Sequence, residues 1–293
     1  MNTTRRTFLK TAAVLTLPAF LQAAERKGLV GSQLYGWGQY YQREGKKIEE
    51  HLDDVLSALR DAGYDYAEGN LGGPDSSGRF AEMLRTRGMK PVSLYTGGAL
   101  HEAAKAEQNA EKLVENAIAA HEAGFSIINC NPNPIGRNKT DEELATQAKA
   151  LTIIGTELTK AGMKFGVHNH TPEMANGAKE FHNNLDQSDP KTVGFCYDVH
   201  WVFRGGVAPE DALNQYGSRI VSWHLRQSRD KVWWEDLDTG DVDYAEIAKY
   251  AQEHHLPPYY TVELAIEAGT KITRTVVENH ALSREFVRSV FGV

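Results

Sequence analysis

Nine side chains suited to acid–base or ligand chemistry fall at or just after short apolar runs: Glu68, His168, His170, Glu173, Asp198, His200, His224, Arg226 and Glu263. A carboxylate leaving water is costly unless a positive partner meets it. Glu173, Asp198, His224 and Glu263 form a set of hard oxygens with one nitrogen. Brought together, they suit a divalent cation such as Mn²⁺, Mg²⁺, Co²⁺ or Zn²⁺. His168 and His170 are two positions apart and share one side of an extended strand. Either can replace Glu173 as a ligand, bind a substrate hydroxyl or move a proton. Glu263 and Glu173 are the candidate bases, and the two histidines the candidate acids, an imidazole titrating near neutrality. Arg226 is suited to holding a substrate oxygen. Each residue alone is at home in a structural hydrogen bond or ion pair. Their recurrence at the ends of successive strands favours the metal.

The elements that must position these groups alternate in type. Apolar runs at 29–35, 64–68, 90–95, 125–129, 164–169, 192–197, 220–225 and 259–264 are expected strands. Amphipathic stretches between them, such as 48–62, 101–123, 141–161, 176–185 and 271–291, are expected helices. Gly63, Gly88, Gly124 and Gly162 stand where helices must turn back. Eight strand–helix units predict an α/β chain closed as a (β/α)8 TIM barrel. An open doubly wound sheet would place a Gly-rich phosphate loop after the first strand, and Gly36-Trp37-Gly38-Gln39-Tyr40 is not one. In a barrel the carboxyl ends of the strands share one mouth, where Glu68, His200, Tyr35, Trp37 and Trp201 would also gather. Aromatic faces beside hydrogen-bonding groups fit a sugar ring. Trp233-Trp234 lies in a charged insert after the seventh strand, suited to a lid or a partner surface.

The 293 residues carry a formal charge of -7, which disfavours a nucleic-acid partner held by a broad basic face. Cys130 and Cys196 are the only cysteines, too few for a disulfide scaffold or a four-cysteine zinc module. At the start, Thr4-Arg5-Arg6-Thr7-Phe8-Leu9-Lys10 precedes an uncharged stretch running to Ala23. The string resembles the bacterial twin-arginine export signal. Residues 1–23 are therefore expected to be a cleaved signal, and 24–293 the barrel domain, free of the membrane in the periplasm. Losing Arg5, Arg6 and Lys10 takes the formal charge from -7 to -10.

The segments Val30-Gly31-Ser32-Gln33-Leu34-Tyr35, His168-Asn169-His170-Thr171-Pro172-Glu173, Tyr197-Asp198-Val199-His200-Trp201, His224-Leu225-Arg226 and Gly240-Asp241-Val242-Asp243-Tyr244, with Glu263, carry a family likeness. In their order and spacing the chain resembles the xylose-isomerase-like TIM barrels of the sugar isomerase/epimerase superfamily. The resemblance implies a divalent metal, Mn²⁺ foremost, held by Glu173, Asp198, His224 and Glu263. It implies acid–base chemistry beside a sugar carbonyl, a small sugar or glycoside substrate, and a homodimer or homotetramer. Its outcome is isomerisation or epimerisation; the alternative is a lyase or dehydratase expelling the aglycone of a 3-keto-glycoside or water from an inosose. Two departures stand out. The epimerases' strand-five glutamate is replaced by Val167-His168-Asn169-His170, and Arg226 takes the place of the usual lysine.

Overall fold

The computed structural model describes residues 28–293. The expected export signal, 1–23, lies outside them. β1 (Leu29–Gln33) leads into α1 (Leu34–Arg43) and α2 (Leu52–Asp61). Then β2 (Tyr66–Asn70), α3 (Pro74–Arg85), β3 (Ser93–Gly98), α4 (Ala106–Glu122), β4 (Ile127–Pro132) and α5 (Asp141–Lys160) alternate. The second half runs through β5 (Lys164–Val167), α6 (Thr171–Asp186), β6 (Gly194–Asp198), α7 (Val199–Arg204), α8 (Pro209–Tyr216) and β7 (Ile220–Leu225). A two-stranded hairpin, β8 (Ser228–Arg229) and β9 (Val232–Trp233), precedes α9 (Tyr244–Glu253), β10 (Tyr259–Val262) and α10 (Val276–Phe291).

Eight of these strands close a parallel barrel in the order β1-β10-β7-β6-β5-β4-β3-β2. The expected (β/α)8 architecture is therefore the observed one. Gly63, Gly88, Gly124 and Gly162 all have positive φ at the helix-to-strand turns. The expectation of a strand through Tyr35 was too long. The chain turns helical at Leu34, where the Gln33 side chain accepts from the Tyr35 backbone N–H and caps α1. The apolar shell between sheet and helices includes Leu56, Leu84, Phe125, Leu158, Phe195, Trp223 and Val287, all fully or almost fully buried. Each stabilises the fold by about 1.5–3 kcal/mol.

Inside the barrel the alternation delivers polar side chains. Odd and even positions of a strand face opposite sides, so Ser222 and His224 point in while Trp223 points out to bond Pro257. The Tyr66 hydroxyl crosses the interior to Thr261, 2.8 Å away. Its ring fills the space beside Gly31, where a Cβ would sit 2.1 Å from ring carbon. Gly166 likewise leaves room for the Asn129 side chain.

Candidate active site

Register sets the site. Asp198 at the end of β6 pairs with His224 on β7, and Thr261, two residues before Glu263, pairs with His224 on the other side. His168 follows the last residue of β5. These four side chains, His168, Asp198, His224 and Glu263, are buried and offer ligand atoms all within 4.8 Å of one another. His224 Nδ1 lies 2.9 Å from Glu263 Oε2, and His224 Nε2 lies 2.8 Å from Glu68 Oε1. Arg226 Nη2 approaches Glu263 Oε1 at 2.6 Å and Asp198 Oδ2 at 3.2 Å. His168 Nε2 lies 3.4 Å from Asp198 Oδ2, yet is buried without a hydrogen-bond partner.

The electrostatics follow from these contacts. Burial works against ionisation of Glu263 and Asp198, but Arg226 and the imidazoles overcome it, holding Glu263 well below the usual carboxylate range and Asp198 below its own. Burial also pulls His224 down. Its neighbours Cys196, Glu68 and Glu263 more than offset that and raise it well above an ordinary histidine. His168 is lowered by burial and presents a neutral nitrogen. Two imidazoles and two ionised carboxylates this close, with one ring nitrogen unpartnered, fit a divalent transition ion.

Glu173 stands outside the four. It sits in the first turn of α6, where Oε2 accepts the His170 backbone N–H at 2.6 Å and Oε1 faces Asn131 Nδ2 at 3.4 Å. Its carboxylate is spent on starting the helix, and burial raises its pKa. His168 takes the strand-five place in the group instead. α6 begins earlier than the sequence pattern predicts and breaks at Asn176, Gly177 and Ala178, all with positive φ.

A cavity of about 790 Å³ opens at this mouth. Its lining includes Glu68, Tyr95, His170, Trp201, Arg226, Trp233 and Glu263, with Tyr35, Gln39 and Gln42 of α1 and Lys47 just beyond that helix. Of the expected substrate contacts, Tyr35, Glu68, Trp201 and Arg226 therefore face the cavity. Trp37 does not line it: 1% exposed, it bonds Ser32 through Nε1 and stacks on His280 at 4.4 Å. His200 is wholly buried near Phe203 and Trp233, with neither ring nitrogen partnered. His170 faces the cavity, but burial, aided by His168, lowers its pKa to about 3. It is thus a neutral hydrogen-bonding ring at pH 7, not the near-neutral acid expected from its type.

The Trp233-Trp234 insert closes one wall. Trp233 turns inward against Trp201, ring centroids 5.2 Å apart, and against the Arg226 guanidinium at 4.7 Å. Trp234 instead stacks on Arg229 at 3.9 Å. Glu267 fastens the hairpin by accepting the Trp233 backbone N–H and pairing with Arg204. Sequence reasoning missed Asn129, Asn131 and Ser222, polar residues inside otherwise apolar strands. Their spacing of two from one another or from His224 was the available signal.

With this geometry in place, comparison with known proteins is decisive at the level of family. Residues 56–285 match the family described as xylose isomerase-like TIM barrel. The chain belongs to that family. Inosose dehydratase 2 of Bacillus cereus is 27% identical over 135 residues, 45% of this chain and 45% of that relative. An inosose dehydratase of Geobacillus thermodenitrificans is 30% identical over 122 residues, 39% of this chain and 40% of the relative. The chain thus spans less than half the length of these curated relatives. A sugar phosphate isomerase/epimerase from Parabacteroides distasonis superposes with a TM-score of 0.70 at 23% identity, covering 93% of this chain and 98% of its own. A D-allulose 3-epimerase from a Methylomonas species, in complex with D-allulose, gives 0.70 at 14% identity, covering 90% and 97%. These two structures share the family's barrel fold.

Proposed function

We propose that the protein is a divalent-metal-dependent sugar isomerase or epimerase that removes a proton from the carbon beside a substrate carbonyl. The observation carrying this reading is the buried group of His168, Asp198, His224 and Glu263, which through Glu263 meets a cavity of about 790 Å³, a size that suits a small-molecule substrate. An ion held by those four residues, Mn²⁺ in this reading, would supply Lewis acidity to substrate oxygens. Glu263, kept ionised by Arg226 and His224, accepts the proton, and a proton returned to the neighbouring carbon or to the opposite face of the same carbon completes isomerisation or epimerisation. Arg226 holds the oxygen on which negative charge develops. His170, neutral and facing the cavity, hydrogen-bonds a hydroxyl, as a neutral imidazole does where a carbonyl is polarised without a charged acid. Tyr35 and Trp201 offer aromatic faces to the apolar side of the ring.

Elimination is the second reading. The inosose dehydratases among the relatives favour it, as does an imidazole pair at strand five where the epimerases carry a glutamate. The first proton leaves in the same way; the bond to a hydroxyl or aglycone on the next carbon then breaks, and the departing oxygen takes a proton.

Incubating Mn²⁺-loaded protein in D₂O with ketoses, inososes and 3-keto-glycosides tests both. Deuterium on the carbon next to the carbonyl, with the carbon skeleton and all hydroxyls retained, supports the isomerase. Loss of water or aglycone in step with turnover supports elimination, and neither exchange nor such loss on any substrate sinks both readings. Export rests on the Thr4–Lys10 string. We propose the twin-arginine route for it, and an Arg5→Lys/Arg6→Lys double variant that still reaches the periplasm would refute that route.

A further inference from the structure

Glu68 lines the cavity and was expected to contact substrate, yet both its oxygens are already engaged. Oε1 meets His224 Nε2 at 2.8 Å, and Oε2 accepts from Asn129 Nδ2 at 2.8 Å. Asn129 Oδ1 in turn accepts the Ser222 hydroxyl at 2.8 Å. All four residues are at most 1% exposed, and they come from three strands, β2, β4 and β7.

The donors and acceptors in this chain fix the Asn129 amide and set one carboxylate against each nitrogen of His224. A carboxylate accepts only, so Asn129 must turn its NH₂ toward Glu68 and its carbonyl toward Ser222. Ser222, bonded to that carbonyl, serves as the donor that fixes the amide. The second Glu68 oxygen likewise accepts only, and the donor facing it is His224 Nε2. His224 Nδ1 faces Glu263 within the cluster, so a cation bound there would take the place of the Nδ1 proton while Glu68 keeps hold of Nε2. Histidine ligands are oriented in this way when a carboxylate takes the other ring N–H.

We infer that Glu68 is a positioning residue which, held by Asn129 and Ser222, fixes the His224 ring so that Nδ1 is the nitrogen offered to a divalent cation. The inference rests on the metal reading of the site, and its test reads cation affinity, not turnover. Mn²⁺ binding is measured by equilibrium dialysis on the wild type, Glu68→Gln and Ser222→Ala, with folding checked by circular dichroism. Glu68→Gln keeps the shape but loses the anionic acceptor, and should weaken Mn²⁺ binding roughly 10- to 100-fold. Ser222→Ala, two bonds farther along the chain, should weaken it roughly three- to tenfold. Wild-type affinity in a folded Glu68→Gln, with KM raised, would return Glu68 to the substrate and overturn the inference. If Glu68→Gln does not fold, Ser222→Ala decides: weakened binding supports the relay, and unchanged binding overturns it. A wild type that binds no Mn²⁺ removes the metal reading itself, an outcome distinct from either.

Discussion

One guanidinium serves both carboxylates of the cluster: Arg226 Nη2 lies 2.6 Å from Glu263 Oε1 and 3.2 Å from Asp198 Oδ2. A divalent cation bound there shares those anions with Arg226. Arg226→Met should therefore destabilise the metal-free protein by about 3–5 kcal/mol, because it leaves buried charge uncompensated. Added Mn²⁺ should restore more stability to the variant than to the wild type, while kcat/KM falls about a hundredfold or more. Thermal unfolding with and without Mn²⁺ checks the first part. An equal gain in both proteins would refute it.

His168 and Glu173 make opposite predictions. His168→Ala removes one of the four clustered ligand atoms and should abolish stoichiometric Mn²⁺ retention, measured by elemental analysis after gel filtration. Glu173→Gln should keep the metal and cost stability, about 1–2 kcal/mol, through the altered bonds to His170 and Asn131. Metal loss in Glu173→Gln with retention in His168→Ala would reverse the assignment.

Trp233→Ala should raise KM about tenfold and leave Mn²⁺ affinity intact. The indole packs on Arg226 and Trp201 at the cavity wall, and such contacts contribute about 0.5–2 kcal/mol. Steady-state kinetics beside a metal titration separate the two effects. A parallel fall in metal affinity would mean that the tryptophan supports the cluster itself.

Acid stability should report His280, which is remote from the cluster and fully buried against Trp37. Burial lowers its pKa from 6.5 to about 4, although its bond to the Val276 carbonyl works the other way. Between those values the unfolded chain binds a proton that the folded chain refuses, so acid favours unfolding. Relative to His280→Phe, wild-type stability should fall as the pH drops from about 6.5 to 4, by up to about 3 kcal/mol. Urea titrations across that window measure it, and a difference that stays flat with pH would exclude His280 as the cause.

The architecture was legible because its signals are local. Apolar runs, helical stripes and terminal glycines each reflect neighbours in sequence, and eight repeats of them leave few closures. Asp198, His224 and Glu263 were legible for the same reason, each at a strand end. The choice between Glu173 and a strand-five histidine stayed open in the sequence because the Glu173 side chain's position depends on where α6 begins. Capping by a side chain three residues into a helix competes with ligation, and sequence spacing does not show which one wins. His170 was misread through its burial, since its residue type suggests a neutral-pH acid and its surroundings hold it neutral. Asn129 and Ser222 escaped because a polar residue in an interior strand has meaning only once the strands opposite it are known.

The cavity's inner end is made by strand termini and its outer end by α1 and the turn at Ile48–Glu50. Reactivity and reach are thus encoded in separate stretches of the chain. Changing only the cavity-facing side chains of the 34–50 stretch, Tyr35, Gln39, Gln42 and Lys47, would alter which compounds fit while leaving the four clustered side chains and the buried Trp37 in place.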